Sequence, residues 1–204
     1  MSTDRAGDVL GGPADVSRPS NPWPRILAFA LVVGIGIGLA AVCVVSFASP
    51  PPREIRVPVA NLQPGAPVFT PITTFGNDRQ QRTYGVWMGL DMNGRTVALL
   101  SRSAASGCHV RWDATAKAGT VTGVYVDPCG AGRWSLNGRV LETTATKDMD
   151  EFRTRRDGDQ VIVDITRVLL GTCRTESLTG CSREGAPLER AVPKGALPLD
   201  FATN

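Results

Sequence analysis

Residues 26–48 form an apolar run of 23 residues without a charged side chain. As a helix this run would be about 34 Å long, enough to cross the hydrocarbon core of a bilayer. Trp23 and Arg25 precede it and suit the membrane interface. A cleavable signal peptide is the alternative, since residues 46–48 form a small-x-small motif, but its apolar part usually spans only about 7–15 residues. The run therefore favours an uncleaved transmembrane helix.

Small residues recur every four positions in this run, at Ala30, Gly34 and Gly38. On a helix they would form one stripe against which a second helix can pack closely. The general abundance of glycine and alanine in membrane helices explains the pattern equally well. The stripe is therefore a candidate helix-packing surface and no more.

Four of the five cysteines follow the apolar run, namely Cys108, Cys129, Cys173 and Cys181. An even number of cysteines predicts two disulfides and an oxidising compartment. The lysines and arginines on the two sides of the run are too evenly distributed to fix its orientation. The apolar run predicts a single-pass plasma-membrane protein. The cysteines predict its orientation, with a cytoplasmic N terminus and an extracytoplasmic C-terminal domain.

These features divide the chain into five segments. Residues 1–25 are predicted as a disordered cytoplasmic tail, 26–48 as the transmembrane helix, 49–54 as a Pro-rich spacer, 55–168 as a β domain and 169–204 as a C-terminal extension. The extension is polar and carries Cys173 and Cys181. We expect these two cysteines to form a disulfide and not a redox pair, because they lack Cys-x-x-Cys spacing.

The segment after the spacer consists of short apolar runs separated by turn signals. The pair Asn93-Gly94 lies between residues 86–91 and residues 96–100, and it predicts a β-hairpin. No helical periodicity of useful length is present in this segment. The predicted fold class of the domain is therefore all-β.

The composition argues against several classes of function. One histidine is present, His109, so a site with two histidine ligands cannot be built within one chain. The 22 Lys and Arg residues against 19 Asp and Glu residues give a net charge of +3 without a long basic run, which argues against nucleic-acid binding. An enzyme is the weakest interpretation, because Ser103 and Asp127 have no general base beside them other than a carboxylate.

Two cysteine-bearing segments stand apart from the rest of the chain. Residues 103–113 read SAASGCHVRWD, and residues 125–141 read YVDPCGAGRWSLNGRVL. Together with the Leu-x-Pro-Gly turn at residues 62–65, they resemble the two loops and the opening strand of the Rieske iron–sulfur family. The resemblance covers residues 57–165 and implies an antiparallel β-sandwich of the Rieske type, a family that carries a [2Fe–2S] cluster.

The resemblance also assigns positions to the cluster ligands, which in the family are two cysteines and two histidines. The residues at these positions here are Ser103, Ala105, Asp127 and Gly130. A Rieske cluster needs two thiolates on one iron and two imidazoles on the other, and alanine and glycine offer no ligand atom. Cys108 and Cys129 match the family's non-ligand cysteines, so the resemblance implies a disulfide between them. We therefore predict no cofactor and no catalytic residue.

A different metal site formed by Cys108, His109, Asp127 and Cys129 is the alternative for these loops. Adjacent residues on a strand point to opposite faces, and the spacings typical of zinc sites are absent, so we predict no metal ion. His109 is expected to be a surface histidine or a hydrogen-bonded one.

In function, a membrane-anchored chain that resembles this family implies a place in a quinol-oxidising, cytochrome bc-like complex. Without cluster ligands such a chain cannot carry the electron. We therefore predict a non-redox accessory or structural subunit that contacts the membrane and cytochrome b-like subunits. The alternative is an extracytoplasmic binding module that recognises a soluble partner or ligand through the loops around Ser103 and Asp127.

Overall fold

The computed structural model describes residues 23, 26–36, 53–142, 144–175, 180–198 and 201. The chain divides into two compact units, Met1–Pro50 and Pro51–Asn204.

In the first unit, residues 26–36 are helical and their side chains are exposed. Ala30 and Gly34 lie four positions apart on this helix. Gly38 and the rest of the predicted span, residues 37–48, lie outside the described residues. Over the described part of the chain, no helix is long and apolar enough to cross a membrane.

The second unit is built from antiparallel β-sheets. Its described strands are β1 (Glu54–Pro58), β2 (Val68–Pro71), β3 (Gly85–Leu90), β4 (Thr96–Leu100), β5 (Arg111–Ala118), β6 (Val121–Val126), β7 (Arg133–Trp134), β8 (Glu151–Asp157), β9 (Gln160–Leu169) and β10 (Glu189–Ala191). Two short 3-10 helices, Val59–Asn61 and Thr73–Phe75, lie between them. This architecture confirms the predicted all-β class for the domain.

The strands form a large sheet and a small one. The large sheet has the order β1-β9-β8-β4-β3-β2, with β10 paired to the second half of β9. The small sheet has the order β5-β6-β7. Neighbouring strands are antiparallel throughout these pairings.

The hairpin predicted at Asn93-Gly94 is confirmed by the antiparallel pairing of β3 with β4. Gly94 has a φ of 76°, which a residue without a Cβ adopts at little cost. The Asp91 carboxylate fastens this turn because its Oδ1 accepts hydrogen bonds from the backbone N–H groups of Asn93 and Arg95. Local turn chemistry therefore fixes the register of the two strands.

Strand alternation divides the apolar side chains of the large sheet between two cores. On one face, Met88 and Leu100 join a cluster that includes Phe75, Phe152 and other buried residues. On the opposite face, Val97 and Leu99 pack with residues of the small sheet, including Tyr125 and Trp134. The small sheet is thus held against the large one through the second core, and the two loops that leave it rest on a buried base.

The C-terminal part of the chain is packed into this unit. β10 adds to the large sheet, and Leu197 and Phe201 are buried in the first core. The Arg190 guanidinium lies over the Phe201 ring, 5.7 Å from its centroid. The disulfide Cys173–Cys181 is present as predicted. β10 was not predicted, because its three residues are too few to display the period of a strand.

Candidate functional site

Two loops meet at the end of the small sheet. The first loop, residues 101–110, joins β4 to β5, and the second, residues 127–132, joins β6 to β7. The first is closed at its base, since Val110 donates its backbone N–H to the Ser101 carbonyl oxygen at 2.6 Å. The second is closed in the same way by Asp127 and Gly132 over 3.0 Å. We call these two loops together the tip.

The disulfide Cys108–Cys129 joins the two loops of the tip, as the resemblance implied. Its two Cα atoms are 6.2 Å apart, and 21 positions separate the cysteines in the sequence. Cys108 is buried, whereas Cys129 is exposed. The Gln80 amide nitrogen donates a hydrogen bond to Sγ of Cys129 at 3.6 Å. The bridge therefore joins a buried residue of the first loop to an exposed residue of the second.

The Asp127 carboxylate forms a second connection between the loops. It is buried, and its Oδ2 accepts hydrogen bonds from the hydroxyl groups of Ser103 and Ser106, each at 2.7 Å. Its Oδ1 accepts a hydrogen bond from the Cys129 backbone N–H at 2.8 Å. Both carboxylate oxygens are thus satisfied by donors within the tip, as a buried charge requires.

The four positions that the resemblance assigns to cluster ligands all lie in the tip. Ser103 and Asp127 contact each other directly through the hydrogen bond just described. Ala105 and Gly130 are exposed and offer no ligand atom. A Cβ added to Gly130 would lie 3.2 Å from Oδ2 of Asp127, so the second loop passes close over the carboxylate. Hydrogen bonds and a disulfide occupy the space between the loops.

Asp78 is a buried acid near the tip that the sequence analysis did not single out. Its Oδ2 accepts hydrogen bonds from the backbone N–H of His109 at 3.0 Å and from Nε of Arg82 at 2.8 Å. Burial alone would raise the pKa of the Asp78 carboxyl, but hydrogen bonds from Arg82, His109 and Gln80 outweigh it and lower the pKa to about 2. The only sequence signal was the turn-forming run Gly76-Asn77-Asp78, which marks a loop but not its partner.

His109 is buried, so of the two expected environments the surface one is wrong. Its ring packs edge-on against Phe69, with 4.8 Å between the centroids, and lies 6.4 Å from Trp87. Burial lowers the pKa of this imidazole, and the positive charge of Arg82 lowers it further. Nδ1 has no hydrogen-bond partner among the described residues. His109 is therefore held neutral near pH 7 among aromatic rings.

Tyr84 contacts Arg102 and Gly107 of the first loop, and neither Tyr84 nor Arg102 was singled out from the sequence. The Tyr84 hydroxyl donates a hydrogen bond to the Gly107 carbonyl oxygen. The Arg102 guanidinium lies over the Tyr84 ring, 5.4 Å from its centroid, and donates a hydrogen bond to the Pro198 carbonyl oxygen. The C-terminal segment is thereby tied to the base of the tip.

A buried ion pair lies below the tip between Lys147 and Asp150. Nζ of Lys147 contacts Oδ1 of Asp150 at 2.7 Å and also donates to the Gly180 carbonyl oxygen at 3.0 Å. The same Oδ1 accepts the Gly171 backbone N–H at 2.8 Å. The pair connects the segment before β8 to the loop of the second disulfide.

One group of side chains in the tip has the composition of a metal site. Cys108, Asp127 and Cys129 each place one potential ligand atom within 4.8 Å of the others. In the disulfide the two sulfur atoms are bonded to each other, so they are not thiolate ligands. His109, the fourth member of the set considered from the sequence, is packed against aromatic rings and does not join the group.

A scan against protein-family models finds no model that matches this chain, and a search of curated proteins finds no matching sequence.

Proposed function

We propose that this chain is a single-pass membrane protein whose extracytoplasmic domain is a Rieske-type β-sandwich without an iron–sulfur cluster. In this proposal it serves as a non-redox accessory or structural subunit of a quinol-oxidising, cytochrome bc-like electron-transfer complex. The observation that carries the proposal is the contact between Ser103 and Asp127, two residues at ligand positions that hydrogen-bond to each other at 2.7 Å.

The arrangement of the second unit supports the Rieske interpretation. The β3–β4 hairpin precedes the first loop, and the small sheet carries both loops at one end. The disulfide Cys108–Cys129 joins the loops at the place that the resemblance gives to the family's non-ligand bridge. Likeness of fold alone says little about function, which depends on the residues and contacts of the tip.

The donor set of the tip does not fit a Rieske cluster. Such a cluster requires two thiolates and two imidazoles as ligands. Both cysteines of the tip are consumed in the disulfide, and the chain's one histidine packs against Phe69. The direct hydrogen bond from Ser103 to Asp127 leaves no space for an iron ion between them. Electron transfer through the tip therefore has no carrier in this proposal.

What the tip offers instead is a pair of cross-linked loops with four uncharged residues at their end. Ala105, Cys129, Gly130 and Ala131 are exposed at its end, and none carries a charge. Beneath them, the buried Asp127 carboxylate and the disulfide cross-link the two loops without a metal. A surface of this kind can dock on another subunit with little loss of conformational entropy, because its loops are already ordered. The apolar run at residues 26–48 would provide the membrane anchor.

The test of the cluster-free state is chemical analysis of the full chain purified from membranes. Iron and acid-labile sulfide are measured per chain, and the dithionite-reduced sample is examined by EPR. We expect both elements to be far below stoichiometric amounts and no Rieske-type signal to appear. A stoichiometric cluster with such a signal would contradict the proposal.

The subunit role is tested by affinity purification of the tagged full chain from detergent-solubilised membranes of its own host. Co-purification of cytochrome subunits is the expected result. A control chain with Ala105→Glu and Ala131→Glu places charges on the tip surface and should lose those subunits while keeping its fold. Recovery of a soluble partner without cytochromes would favour the alternative binding module.

A further inference from the structure

The tip contains the elements of a metal site that is masked by its own disulfide. Cys108, Asp127 and Cys129 bring two sulfurs and a carboxylate oxygen within 4.8 Å of one another. We propose that the chain binds one divalent zinc-type ion at these three residues when the Cys108–Cys129 disulfide is reduced. This inference does not rest on the proposed function, since it uses only the contacts of these three residues and needs neither a cluster nor a partner subunit.

The carboxylate is positioned independently of the S–S bond. Oδ1 of Asp127 accepts the backbone N–H of Cys129 at 2.8 Å. Oδ2 accepts the Ser106 hydroxyl at 2.7 Å, and the same Ser106 oxygen accepts the backbone N–H of Cys108 at 3.1 Å. The backbone of each cysteine is therefore tied to the carboxylate by hydrogen bonds. Breaking the disulfide leaves these bonds in place, so the three ligands stay together.

Ligand chemistry selects the ion. Thiolate sulfur and carboxylate oxygen are ligands of Zn²⁺, at about 2.3 Å and about 2.0–2.2 Å respectively. In a tetrahedral site those lengths place the two sulfurs about 3.8 Å apart. Rotation of the two side chains about their Cα–Cβ bonds can provide this separation across Cα atoms that are 6.2 Å apart. Two thiolates beside a carboxylate repel one another, and a divalent cation removes that repulsion.

The site would keep one coordination position open. The three protein ligands leave the fourth tetrahedral position to water or to a small solute, as in zinc sites that are not purely structural. Cys129 is exposed, so this position faces solvent at the end of the tip. The Gln80 amide, which donates to Sγ of Cys129 at 3.6 Å, provides an outer hydrogen bond to one sulfur ligand.

The switch between the two states is thiol–disulfide exchange with a dithiol. A dithiol thiolate attacks Sγ of Cys129, the exposed residue of the pair, the S–S bond breaks, and a mixed disulfide forms. The second thiol of the reductant then attacks the mixed disulfide and releases Cys129, so the dithiol is oxidised to a disulfide. The chain accepts two electrons and two protons, and Cys108 and Cys129 become thiols. Binding of the divalent ion displaces both thiol protons to water. The disulfide and the metal site are therefore mutually exclusive.

The experiment titrates the reduced full chain with Co²⁺, whose absorption spectrum reports coordination, and then with Zn²⁺ to displace it. The chain is solubilised in detergent, reduced anaerobically with a phosphine and desalted. We expect one Co²⁺ per chain with tetrahedral bands, displacement by one Zn²⁺, and no binding by the oxidised chain. X-ray absorption of the zinc form should give two sulfur ligands at about 2.3 Å and lighter ligands at about 2.0 Å.

Variants separate this site from the other cysteines of the chain. A background with Cys43→Ser, Cys173→Ser and Cys181→Ser keeps only the two tip cysteines and should bind one ion as the unmodified chain does. In that background Cys129→Ser should abolish the tetrahedral spectrum. Asp127→Asn should weaken Zn²⁺ binding at least about tenfold, the lower end of the loss seen even for outer partners of a metal site.

Three results would overturn the proposal. The first is a reduced chain that keeps its near-ultraviolet circular dichroism and binds no metal. The second is coordination by other ligands, shown either by binding that Asp127→Asn leaves unchanged or by more than two sulfur ligands in the zinc form of the unmodified chain. The third is loss of the tertiary fold upon reduction, since the proposed site requires the hydrogen bonds of Asp127 to hold the tip together without the disulfide.

Discussion

The Ser103 hydroxyl donates a 2.7 Å hydrogen bond to the Asp127 carboxylate, although the two residues lie in different loops and are 24 positions apart in the sequence. Both are buried, so this bond operates away from bulk water. It joins the two loops directly, as the disulfide Cys108–Cys129 does. The stability of the tip should therefore depend on this pair.

Ser103→Ala removes one of the two hydroxyl donors to a buried carboxylate. We expect the free energy of unfolding to fall by about 1.5–3 kcal/mol, the contribution of a hydrogen bond to a charged group. Denaturant unfolding followed by tryptophan fluorescence measures the change. Thr120→Ala, an exposed turn residue without a side-chain hydrogen bond, is the control and should change stability by less than about 0.5 kcal/mol. Equal effects of the two variants would argue against a special role for Ser103.

The two disulfides should differ in their contributions to stability. The bridge Cys108–Cys129 spans 21 positions and Cys173–Cys181 spans 8. Loop entropy gives about 3 kcal/mol for the longer loop and about 2.5 kcal/mol for the shorter one. Replacing the tip cysteines with alanine should therefore lower the denaturation midpoint more than the same change at Cys173 and Cys181. The opposite order would show that the second bridge, beside the Lys147–Asp150 pair, is the more important of the two.

Asp78 should make the domain sensitive to acid. Its pKa is held at about 2 in the folded chain, below the ordinary value of 3.8. Because the folded pKa is the lower one, the stabilisation of about 2 kcal/mol is complete above pH 5 and is lost as the pH falls through 4 toward 2. Asp78→Asn should therefore lower stability at pH 7 and flatten its dependence on pH between 5 and 2. Asp159→Asn, at an exposed turn residue, should leave that dependence steep.

Lys147 and a surface arginine provide a matched pair of ion-pair deletions. Lys147→Met leaves the Asp150 carboxylate buried without its cation, and we expect a loss of about 3–5 kcal/mol. Arg153→Met removes the exposed partner of Glu189, and the expected loss is below about 1 kcal/mol. Thermal and denaturant unfolding of both variants measure the difference. Similar losses would mean that Lys147 stabilises the domain mainly through its packing.

Restoring the ligand set tests the assignment of the loops most directly. The combined variant Ser103→Cys, Ala105→His, Asp127→Cys and Gly130→His supplies two thiolates and two imidazoles at the assigned positions. Replacing Asp127 also removes the oxygen that would lie 3.2 Å from a Cβ at residue 130. After reconstitution with iron and sulfide we expect a [2Fe–2S] cluster with a Rieske-type EPR signal. The same variant with Gly130 retained should lack that signal. Absence of the signal from the four-residue variant as well would contradict the assignment.

Several features of the fold could be predicted because their cause is local. Asn93-Gly94 specified a hairpin, since a turn that needs positive φ is written in two adjacent residues. The spacing of Val161 and Val163 by two positions predicts that they share one face of a strand, and both are buried. The adjacent Ile162 is buried as well, because both faces of β9 are covered, and a period of two cannot reveal that.

The contacts around the tip could not be predicted because they join distant parts of the chain. Asp78 accepts the backbone N–H of His109 from 31 positions away, and nothing near Asp78 in the sequence marks its partner. The burial of His109 likewise depends on Phe69, a residue of β2. The pairing of Lys147 with Asp150 is local, but the two side chains also bond to distant backbone groups: Gly180, inside the second disulfide loop, and Gly171, just before it.

The sequence by itself determined the all-β class of the domain and its four paired cysteines, because strand periodicity, turn residues and cysteine number are properties of the chain. It also named Ser103, Ala105, Asp127 and Gly130 through the resemblance. Only the tertiary structure decided what these residues do together. It brought the Ser103 hydroxyl within hydrogen-bond distance of the buried Asp127 carboxylate. A buried charged group has no water to bond to, so it takes hydrogen-bond donors from the loops that the fold brings near it.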